Sequence, residues 1–428
     1  MNGPPRRRTD PARTTIASEP LPPFTGRLAG ARVLVAHPGA ELYGSDRVVL
    51  ESVAGMVDAG AAVTVTVPEA GPLVALLEQT GATVSVEPAL VLRKSVLRPR
   101  NWPSTIATAF RAVGASRRLL HDRPDLVYVN TVTLPLWPLL ARVRGVRVLS
   151  HIHEAEHGAS RLTLMALYAP NLLANATIAN SRFSRSVVGR AYRSLARRTR
   201  VVYNGVPGPE SATPARASLV GGPVRLTYVG RLSPRKGTDL VITATGELVD
   251  DGVDVEAEIL GEAFAGYEWF VDGLHEAVAR RGLERRVRFL GFRDDIWAVL
   301  DVADIVVIPS RVGEPFGNTA VEAALAARPL IVSASSGLIE ATRGLPGVHR
   351  VAPGDASAIA DAVREIIADW SRHREQAMAA AHLAAARFDP DRYRESIVEL
   401  VASLVSRPVH RTGPRTGRRG TTRTVTHA

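Results

Sequence analysis

Hydrophobic and polar positions alternate along this chain in a pattern that predicts strands and helices following one another. Short β-branched runs, such as Arg-Val-Leu-Val-Ala at 32–36, precede longer stretches whose apolar residues are three or four positions apart. Such runs are typical of buried parallel strands, and such stretches of helices packed on a sheet. The pattern therefore predicts an α/β protein. The strands predicted in the first half are 32–36, 62–67, 83–86, 126–129, 146–150, 176–179 and 200–203, and the helices are 45–59, 71–80, 103–121, 133–143, 160–174 and 182–190.

The alternation is interrupted once and then resumes. Residues 206–223 are dense in Pro, Gly, Ser and Ala and lack periodicity, which indicates a linker. Two Rossmann-like, doubly wound domains are therefore predicted to face one central cleft, where the carboxyl ends of parallel strands bind ligands. The second half is predicted to contain strands 224–229, 254–260, 286–290, 304–308 and 329–333 and helices 236–249, 267–282, 294–302, 318–327 and 355–371. The predicted boundaries are a disordered tail at 1–27, domains at 28–205 and 224–387, a C-terminal helix at 388–406 and a disordered basic tail at 407–428.

Composition narrows the class of protein further. The 428 residues are 46% hydrophobic and 22% charged, which is ordinary for a globular chain, and none is cysteine. The absence of cysteine excludes disulfides, thiolate metal sites and cysteine nucleophiles. Arg6, Arg7 and Arg8 precede no apolar stretch, and no run of 18 apolar residues occurs. We therefore expect neither a signal peptide nor a spanning helix, and a cytoplasmic location.

The net charge of +11 is unevenly distributed. Most of it comes from the two tails, whereas residues 28–207 carry +10 and residues 208–406 carry −8. A nucleic-acid binder would interleave basic with aromatic residues, but aromatic residues make up only 5% of the chain. We expect no nucleic-acid partner.

The loop after the first strand contains Gly44-Ser45, which opens a helix. It lacks the glycine spacing of a dinucleotide fingerprint, which disfavours a Rossmann dehydrogenase. Free amides at a helix N-terminus suit an anion or a sugar hydroxyl. A simple N-cap by Ser45 is the alternative interpretation.

A second polar loop reads His151-Ile152-His153-Glu154. Two histidines one residue apart raise the possibility of a metal site, but no third ligand is identifiable. His153, at the carboxyl end of a strand, is better placed to hydrogen-bond a substrate. A polar loop without function is the alternative, and the neighbouring Asn130-Thr131 pair remains unassigned.

Two strings in the second half suggest phosphate chemistry. Gly230-Arg231 and Lys236-Gly237 flank a turn, and they do not form a P-loop because the lysine precedes the glycine. Arg231 and Lys236 could converge on one diphosphate, or be surface residues. The second string runs from Glu314 to Glu322 and contains a helix start whose amides could bind phosphate. Glu322 could reach a ribose. Glu314 could face the hydroxyls of a sugar, or it could simply cap the helix. The residues at that helix start are Gly317, Asn318 and Thr319.

The chain carries both Gly230-Arg231-(x4)-Lys236-Gly237 and Glu314-(x7)-Glu322. With these two motifs it resembles the retaining nucleotide-sugar glycosyltransferases of family 4, which have the GT-B fold. The similarity spans roughly residues 30–400, and Glu-(x7)-Glu with Phe-Gly-Asn is its most specific mark. Secondary marks are Gly44-Ser45-Asp46-Arg47, His153-Glu154, Asn180-Ser181-Arg182-Phe183-Ser184, Val202-Tyr203-Asn204-Gly205-Val206 and Phe289-Leu290-Gly291-Phe292-Arg293-Asp294-Asp295.

The resemblance implies roles for these residues. Arg231 and Lys236 would neutralise the diphosphate of the donor, Glu314 and the amides of the helix start would position the sugar and phosphate, and Glu322 would hold the ribose. His153 would contact the donor sugar near the reaction centre. Catalytic roles are thus expected for Arg231, Lys236, Glu314 and His153. Donor-binding roles are expected for Gly44, Ser45, Gly230, Gly317, Asn318, Thr319 and Glu322.

The resemblance also implies retention of configuration without a protein nucleophile, no metal and no cofactor. The donor would be a nucleotide diphosphate sugar of UDP or GDP type, and the acceptor a saccharide or lipid-linked hydroxyl in cell-envelope or polysaccharide biosynthesis. The C-terminal helix would return to the first domain. The basic residues Arg93, Lys94, Arg98, Arg100, Arg111, Arg117 and Arg118 could meet an anionic membrane, with attraction to the acidic second domain as the alternative.

Two other functions remain open at this stage. A sugar-nucleotide epimerase of the same fold would use a similar cleft, although it needs acid–base groups around one bound nucleotide sugar. A non-catalytic nucleotide-sugar binding protein would tolerate the loss of Arg231, Lys236 or Glu314, and all three are present.

Overall fold

A computed structural model of the chain describes residues 24–93, 99–264 and 266–406. Within these residues the first domain contains a seven-stranded parallel sheet of order β3-β2-β1-β4-β5-β6-β7. Its strands are β1 Arg32–Ala36, β2 Ala62–Val67, β3 Thr83–Val86, β4 Leu126–Val129, β5 Arg147–Ile152, β6 Ala176–Ala179 and β7 Thr199–Val201. Its helices are α1 Gly44–Asp58, α2 Pro72–Gln79, α3 Trp102–Leu119, α4 Leu136–Val143, α5 Arg161–Tyr168, α6 Arg182–Ala191 and α7 Arg193–Arg198.

The second domain repeats the design with six parallel strands in the described part of the chain, in the order β10-β9-β8-β11-β12-β13. Its central strands are continuous apolar runs because helices cover both faces of the sheet. The strands are β8 Val224–Val229, β9 Val255–Leu260, β10 Val287–Gly291, β11 Ile305–Ile308, β12 Leu330–Ser333 and β13 Val348–Val351. The helices are α8 Thr238–Asp250, α9 Glu268–Arg280, α10 Trp297–Val302, α11 Asn318–Leu325, α12 Ser336–Ala341, α13 Ala356–Ala368 and α14 Trp370–Arg387.

The last helix, α15 Pro390–Val405, crosses back and packs on α1 of the first domain. Its buried side chains, Tyr393 and Ile397 among them, join the hydrophobic core around β1 and β2. The Tyr393 hydroxyl lies 2.6 Å from the Ser52 hydroxyl of α1. The chain therefore crosses between the domains twice, once near residues 202–206 and once near Phe388, where the Val206 amide donates to the Phe388 carbonyl (2.9 Å).

The structure differs from the sequence prediction in several places. Strand β13 and helices α7, α12 and α14 were missed. The predicted N-terminal tail extends too far, since Phe24 is fully buried in the first core; residues 1–23 and the predicted tail at 407–428 lie outside the described residues. The predicted linker is also too long, because Ala215 belongs to the second core and Arg216 pairs with Asp304 (2.8 Å).

The cleft lies where the two sheets present their carboxyl ends to each other. The first-domain loops after β1 and β6 face the second-domain loop after β11, and Tyr43 in the loop after β1 contacts Arg231 in the loop after β8. No helix in the described residues is long and apolar enough to cross a membrane.

Candidate functional site

Helices α1, α8 and α11 begin at the cleft, and α8 and α11 each begin after a glycine in a left-handed conformation. Gly237 (φ 70°) precedes α8, and Gly317 (φ 108°) precedes α11. A β-carbon at Gly237 would collide with the Pro309 carbonyl, and one at Gly317 would lie 2.7 Å from Leu338. Only glycine fits both the torsion angles and the available space. The free amides of these helix starts therefore face the cleft with their positive dipole ends.

The start of α1 meets the start of α11 across the cleft. The Asn318 side-chain amide donates to the Gly44 carbonyl (3.2 Å), and it accepts through Oδ1 from the Asn204 amide (2.8 Å). The cap of α1 is not Ser45, the alternative that the sequence left open. Tyr43 is the N-cap, and its amide donates to the Asp46 carboxylate (2.9 Å).

A cavity of about 110 Å³ lies at this meeting point. Both domains line it, with Tyr43 and Arg47 on one side and the loops after β8, β9 and β10 on the other. It combines guanidinium groups, carboxylates and aromatic rings, the mixture that a nucleotide needs. The lining residues are Leu42, Tyr43, Gly44, Arg47, Val229, Gly230, Arg231, Leu260, Gly261, Glu262, Phe292, Arg293, Ile296, Asn318, Thr319 and Glu322.

Arg231 is held between two aromatic rings in this cavity. Its guanidinium carbon lies 4.3 Å from the ring centre of Phe264 and 5.3 Å from that of Tyr43. Burial lowers the pKa of Arg231 from its usual value, but the guanidinium remains a cation at neutral pH. The rings orient the guanidinium without using its hydrogen-bond donors, and those donors stay available for an anion.

Lys236 and Glu314 form an ion pair beside the cavity. Lys236 Nζ lies 2.8 Å from Glu314 Oε1, which also accepts from the Ser310 hydroxyl (2.7 Å). Burial works to raise the pKa of Glu314, but the charge of Lys236 and both hydrogen bonds outweigh it and hold the pKa below its usual value. Glu314 is therefore ionised, and its alternative role as a helix cap is not observed.

His153 ends a buried chain of hydrogen bonds. Its Nε2 lies 2.9 Å from Asn130 Oδ1, Asn130 Nδ2 lies 3.0 Å from His37 Nδ1, and His37 Nε2 lies 2.8 Å from Asp46 Oδ1. Donors and acceptors alternate consistently if both histidines carry their proton on Nε2. Burial, aided by the nearby His37, lowers the pKa of His153 to about 3. The imidazole is thus neutral, and its orientation is coupled to the first turn of α1.

The other polar groups of this loop are used within the first domain. Glu154 accepts from the Thr131 hydroxyl and from the amides of Val132 (3.3 Å) and His153 (3.1 Å). His151 points into the core, where its Nδ1 lies 2.6 Å from the Tyr128 hydroxyl. His151 and His153 therefore hydrogen-bond to groups of the first domain, Tyr128 and Asn130, rather than forming a shared metal site.

Glu322 lies one turn into α11 on the wall of the cavity. Burial raises the pKa of its carboxyl, while the charges of Arg47 and Lys236 oppose that shift. Arg47 reaches across the cleft, where its Nη2 donates to the Asp294 carbonyl (3.2 Å).

The cavity brings six of the eleven predicted site residues together. Gly44, Gly230, Arg231, Asn318, Thr319 and Glu322 line the cavity. Ser45, His153, Lys236, Glu314 and Gly317 are not part of its lining.

Sequence reasoning gave no role to His37 or to the two aromatic rings around Arg231, and it left Asn130 unassigned. Each follows or faces the carboxyl end of a strand, a position that could have drawn attention to it. Arg47, Phe292 and Arg293 entered only as marks of the resemblance, with no role attached.

Both the sequence and the fold are similar to those of known proteins. Residues 43–207 match the sequence pattern of the domain described as Glycosyltransferase Family 4, and residues 223–369 match that of Glycosyl transferases group 1. The structure of HepE from Anabaena in complex with UDP-glucose aligns with a TM-score of 0.75 and 25% identity, over 87% of this chain and 99% of HepE. Sucrose-phosphate synthase from Thermosynechococcus elongatus shares the fold, with a TM-score of 0.69 at 19% identity.

The curated relatives match over shorter segments. Glycogen synthase of Mycobacterium tuberculosis is 36% identical over 192 residues, which is 44% of this chain and 44% of that enzyme. The 2-deoxystreptamine glucosyltransferase of Streptomyces kanamyceticus is 33% identical over 151 residues, 35% of this chain and 37% of the relative. The chain thus spans less than half the length of these relatives.

Two doubly wound domains that close on a shared cleft define the GT-B fold, and the predicted fold class is confirmed. The family 4 match lies in the first domain and the group 1 match in the second, and together they cover most of the described sequence. The chain contains a family 4 glycosyltransferase domain followed by a group 1 glycosyltransferase domain, as the sequence motifs predicted.

Proposed function

We propose that this protein transfers a sugar from a nucleotide diphosphate donor to a hydroxyl of a saccharide or lipid-linked acceptor. The observation that carries the proposal is the convergence of Arg231, Lys236 and the amides at the start of α11 beside a cavity that Glu322 lines. Positive groups fixed in place stabilise a departing diphosphate without reorganising during the reaction. HepE, similar over nearly its whole length, is described in complex with UDP and glucose, which favours a UDP sugar as donor.

The proposed reaction retains configuration and uses no protein nucleophile. The bond between the anomeric carbon and the diphosphate breaks, the acceptor oxygen bonds to the same face of that carbon, and a phosphate oxygen takes the acceptor proton. Two carboxylates near the cleft support this route, because Glu314 is paired with Lys236 and Glu154 accepts three local hydrogen bonds. Neither is free to attack a sugar.

We further propose that no metal or cofactor takes part, since Arg231, Lys236 and the helix starts supply positive charge to the diphosphate. His153 acts as a neutral group near the sugar. Its Nε2 is bound to Asn130, so Nδ1 is the ring nitrogen left for a sugar hydroxyl.

Donor binding is tested by calorimetry and thermal shift with UDP, GDP, ADP and their sugars. A ligand at a hundredfold excess over Kd adds about 2.7 kcal/mol to the free energy of unfolding, so the true donor should stand out. Arg231→Ala and Lys236→Ala should abolish the response. Arg235→Ala is the matched control, because it removes an exposed cation from the same loop. No response to any nucleotide, or an equal response in all variants, would refute the proposed site.

The stereochemical course is tested separately by slow hydrolysis of the donor without acceptor. Proton NMR of the first sugar released should show the donor's anomeric configuration, and a chelator should not change the rate. The inverted anomer would refute retention, and loss of the reaction with chelator would refute metal independence.

We also propose that the first domain rests on an anionic membrane surface in polysaccharide or cell-envelope synthesis. The helix α3 exposes Trp102 (55%), Ile106 (56%) and Phe110 (76%). Their spacing of four places them along one face, as in helices that lie in a membrane interface. Exposed arginines on and before α3 would meet lipid phosphates. These are Arg93, Arg100, Arg111, Arg117 and Arg118, while Lys94 and Arg98 lie outside the described residues.

Vesicle flotation tests this surface. The protein should float with vesicles of phosphatidylcholine and phosphatidylglycerol but not with phosphatidylcholine alone, and Phe110→Ser should weaken flotation. Leu383→Ser, which replaces an exposed apolar residue (49%) of the second domain, is the control. Flotation that ignores lipid charge, or equal loss in both variants, would refute the proposal.

A further inference from the structure

Two histidines and a glutamate meet at the outer edge of the second sheet, away from the cleft. His349 lies on β13, the edge strand, Glu365 lies on α13, and His373 lies on α14. One ligand atom from each side chain lies within 4.8 Å of the other two. Strands β11 and β12 separate this cluster from β8, whose loop lines the cavity.

The ordinary contacts within the cluster are poor. His349 Nε2 and His373 Nδ1 are 3.4 Å apart, beyond the usual 2.7–3.2 Å of a hydrogen bond. His349 Nδ1 lies 3.6 Å from Glu365 Oε2, which is also too far for a strong bond. The two rings nevertheless face each other with His373 buried (4% exposed). Their polar atoms are thus directed at one another without being well satisfied.

The same spacing suits a metal ion. Zinc bound to imidazole nitrogens at about 2.0–2.1 Å in a tetrahedron places its ligand atoms roughly 3.4 Å apart. The two histidine nitrogens already have that separation. A Glu365 oxygen lies within 4.8 Å of one nitrogen of each histidine. It must approach by up to about 1.4 Å to complete three ligands at that spacing, and its side chain, 69% exposed, has room to do so. Water would take the fourth position.

We propose that His349, Glu365 and His373 bind a divalent transition-metal ion, of which Zn²⁺ fits the ligand set best. The ion would join the edge strand β13 to α13 and α14. Since α14 leads directly into the crossing to α15, the ion would brace the segment from which the chain returns to the first domain. This role is independent of glycosyl transfer.

The charges around the cluster permit a cation. Arg372 borders both histidines, but it is largely exposed and extends toward Asp369 (3.8 Å). The carboxylate of Glu365 adds one negative charge at the site, and two neutral imidazoles add none.

The full-length protein is titrated with Co²⁺, followed by absorption in the visible range, and with Zn²⁺, followed by calorimetry. We expect one equivalent of metal with the spectrum of a tetrahedral nitrogen–oxygen site. Affinity should fall roughly tenfold or more in His349→Ala and in Glu365→Ala. The exposed Glu365 makes the second variant safe for folding. His382→Ala, an exposed histidine on α14, is the matched control.

No stoichiometric binding to the wild-type protein would overturn the proposal. Equal affinity in wild type, His349→Ala and Glu365→Ala would also overturn it, because the metal would then bind elsewhere, such as the histidines of the tail. Loss in His382→Ala equal to that in His349→Ala would have the same meaning. Zn²⁺ should also raise the unfolding temperature of the wild type and of His382→Ala, but not that of Glu365→Ala.

Discussion

Replacing Glu340 with alanine should open the cleft between the two domains. Glu340 lies on α12 of the second domain, and its carboxylate accepts from the amides of Arg182 (2.8 Å) and Phe183 (3.0 Å) and from the Tyr203 hydroxyl (2.8 Å). The two amides belong to the first turn of α6 in the first domain. The second domain therefore supplies a negative cap to a helix of the first, which favours the closed arrangement.

The magnitude follows from what the alanine variant loses. A helix cap contributes about 0.5–2 kcal/mol, and a hydrogen bond to a charged group about 1.5–3 kcal/mol. Ser181 still accepts from the Ser184 amide (2.9 Å), so α6 keeps part of its cap. The released donors also regain water once the domains part. We therefore expect the closed form to lose about 2 kcal/mol, which shifts the equilibrium roughly 30-fold toward the open form.

Small-angle scattering measures this shift as an increase in the radius of gyration. Glu276→Ala is the control, because it removes an exposed glutamate (70%) that pairs with Arg280 on the same helix. An excess of donor nucleotide should close the Glu340→Ala variant again, since a ligand held by both domains favours the closed form. Identical scattering from Glu340→Ala, Glu276→Ala and wild type would show that the cap does not hold the domains together.

Three further outcomes follow from the site and the crossing helix. Gly261→Ala should destabilise the protein by more than about 2 kcal/mol in chemical unfolding and weaken donor binding, because its β-carbon would strike a backbone oxygen of the β8 loop at a φ of 135°. Lys236→Met should reverse the pH dependence of the free energy of unfolding that comes from Glu314. In the wild type, the Lys236–Glu314 pair stabilises the fold above about pH 4, and this stabilisation is lost as the pH falls. In the variant, burial raises the Glu314 pKa, so the stability falls as the pH rises. Tyr393→Phe should cost about 1–3 kcal/mol in thermal unfolding, because the Ser52 hydroxyl loses a buried partner.

Matched controls separate these effects from general damage. Gly252 also has a positive φ (79°) but no atom lies within 4 Å of the new β-carbon, so Gly252→Ala should cost less than Gly261→Ala. Tyr267→Phe changes an exposed ring and should be neutral. Equal losses in either pair, or parallel pH profiles in wild type and Lys236→Met, would contradict the reasoning.

Most of the fold could be predicted because its signals are local. Short runs rich in β-branched residues indicate strands, and such runs located β1, β2, β3, β4, β6 and β8 with their observed bounds. The exceptions have weak local signals. Strand β13, Val-His-Arg-Val, is short and half polar because it lies at a sheet edge, and α14 is rich in alanine, which blurs the apolar stripe of an amphipathic helix.

The sequence by itself determined the two-domain α/β architecture and the loops that carry Arg231, Lys236, Glu314 and Glu322, because strand periodicity and loop spacing are properties of neighbouring residues. Only the tertiary structure decided which groups face one another. The chain of hydrogen bonds from Asp46 through His37 and Asn130 to His153 joins three loops. Glu340 caps a helix more than 150 residues away along the sequence. Hydrogen bonds of this kind depend on ångström-scale placement of separate elements, which packing of both domains sets and local sequence does not encode.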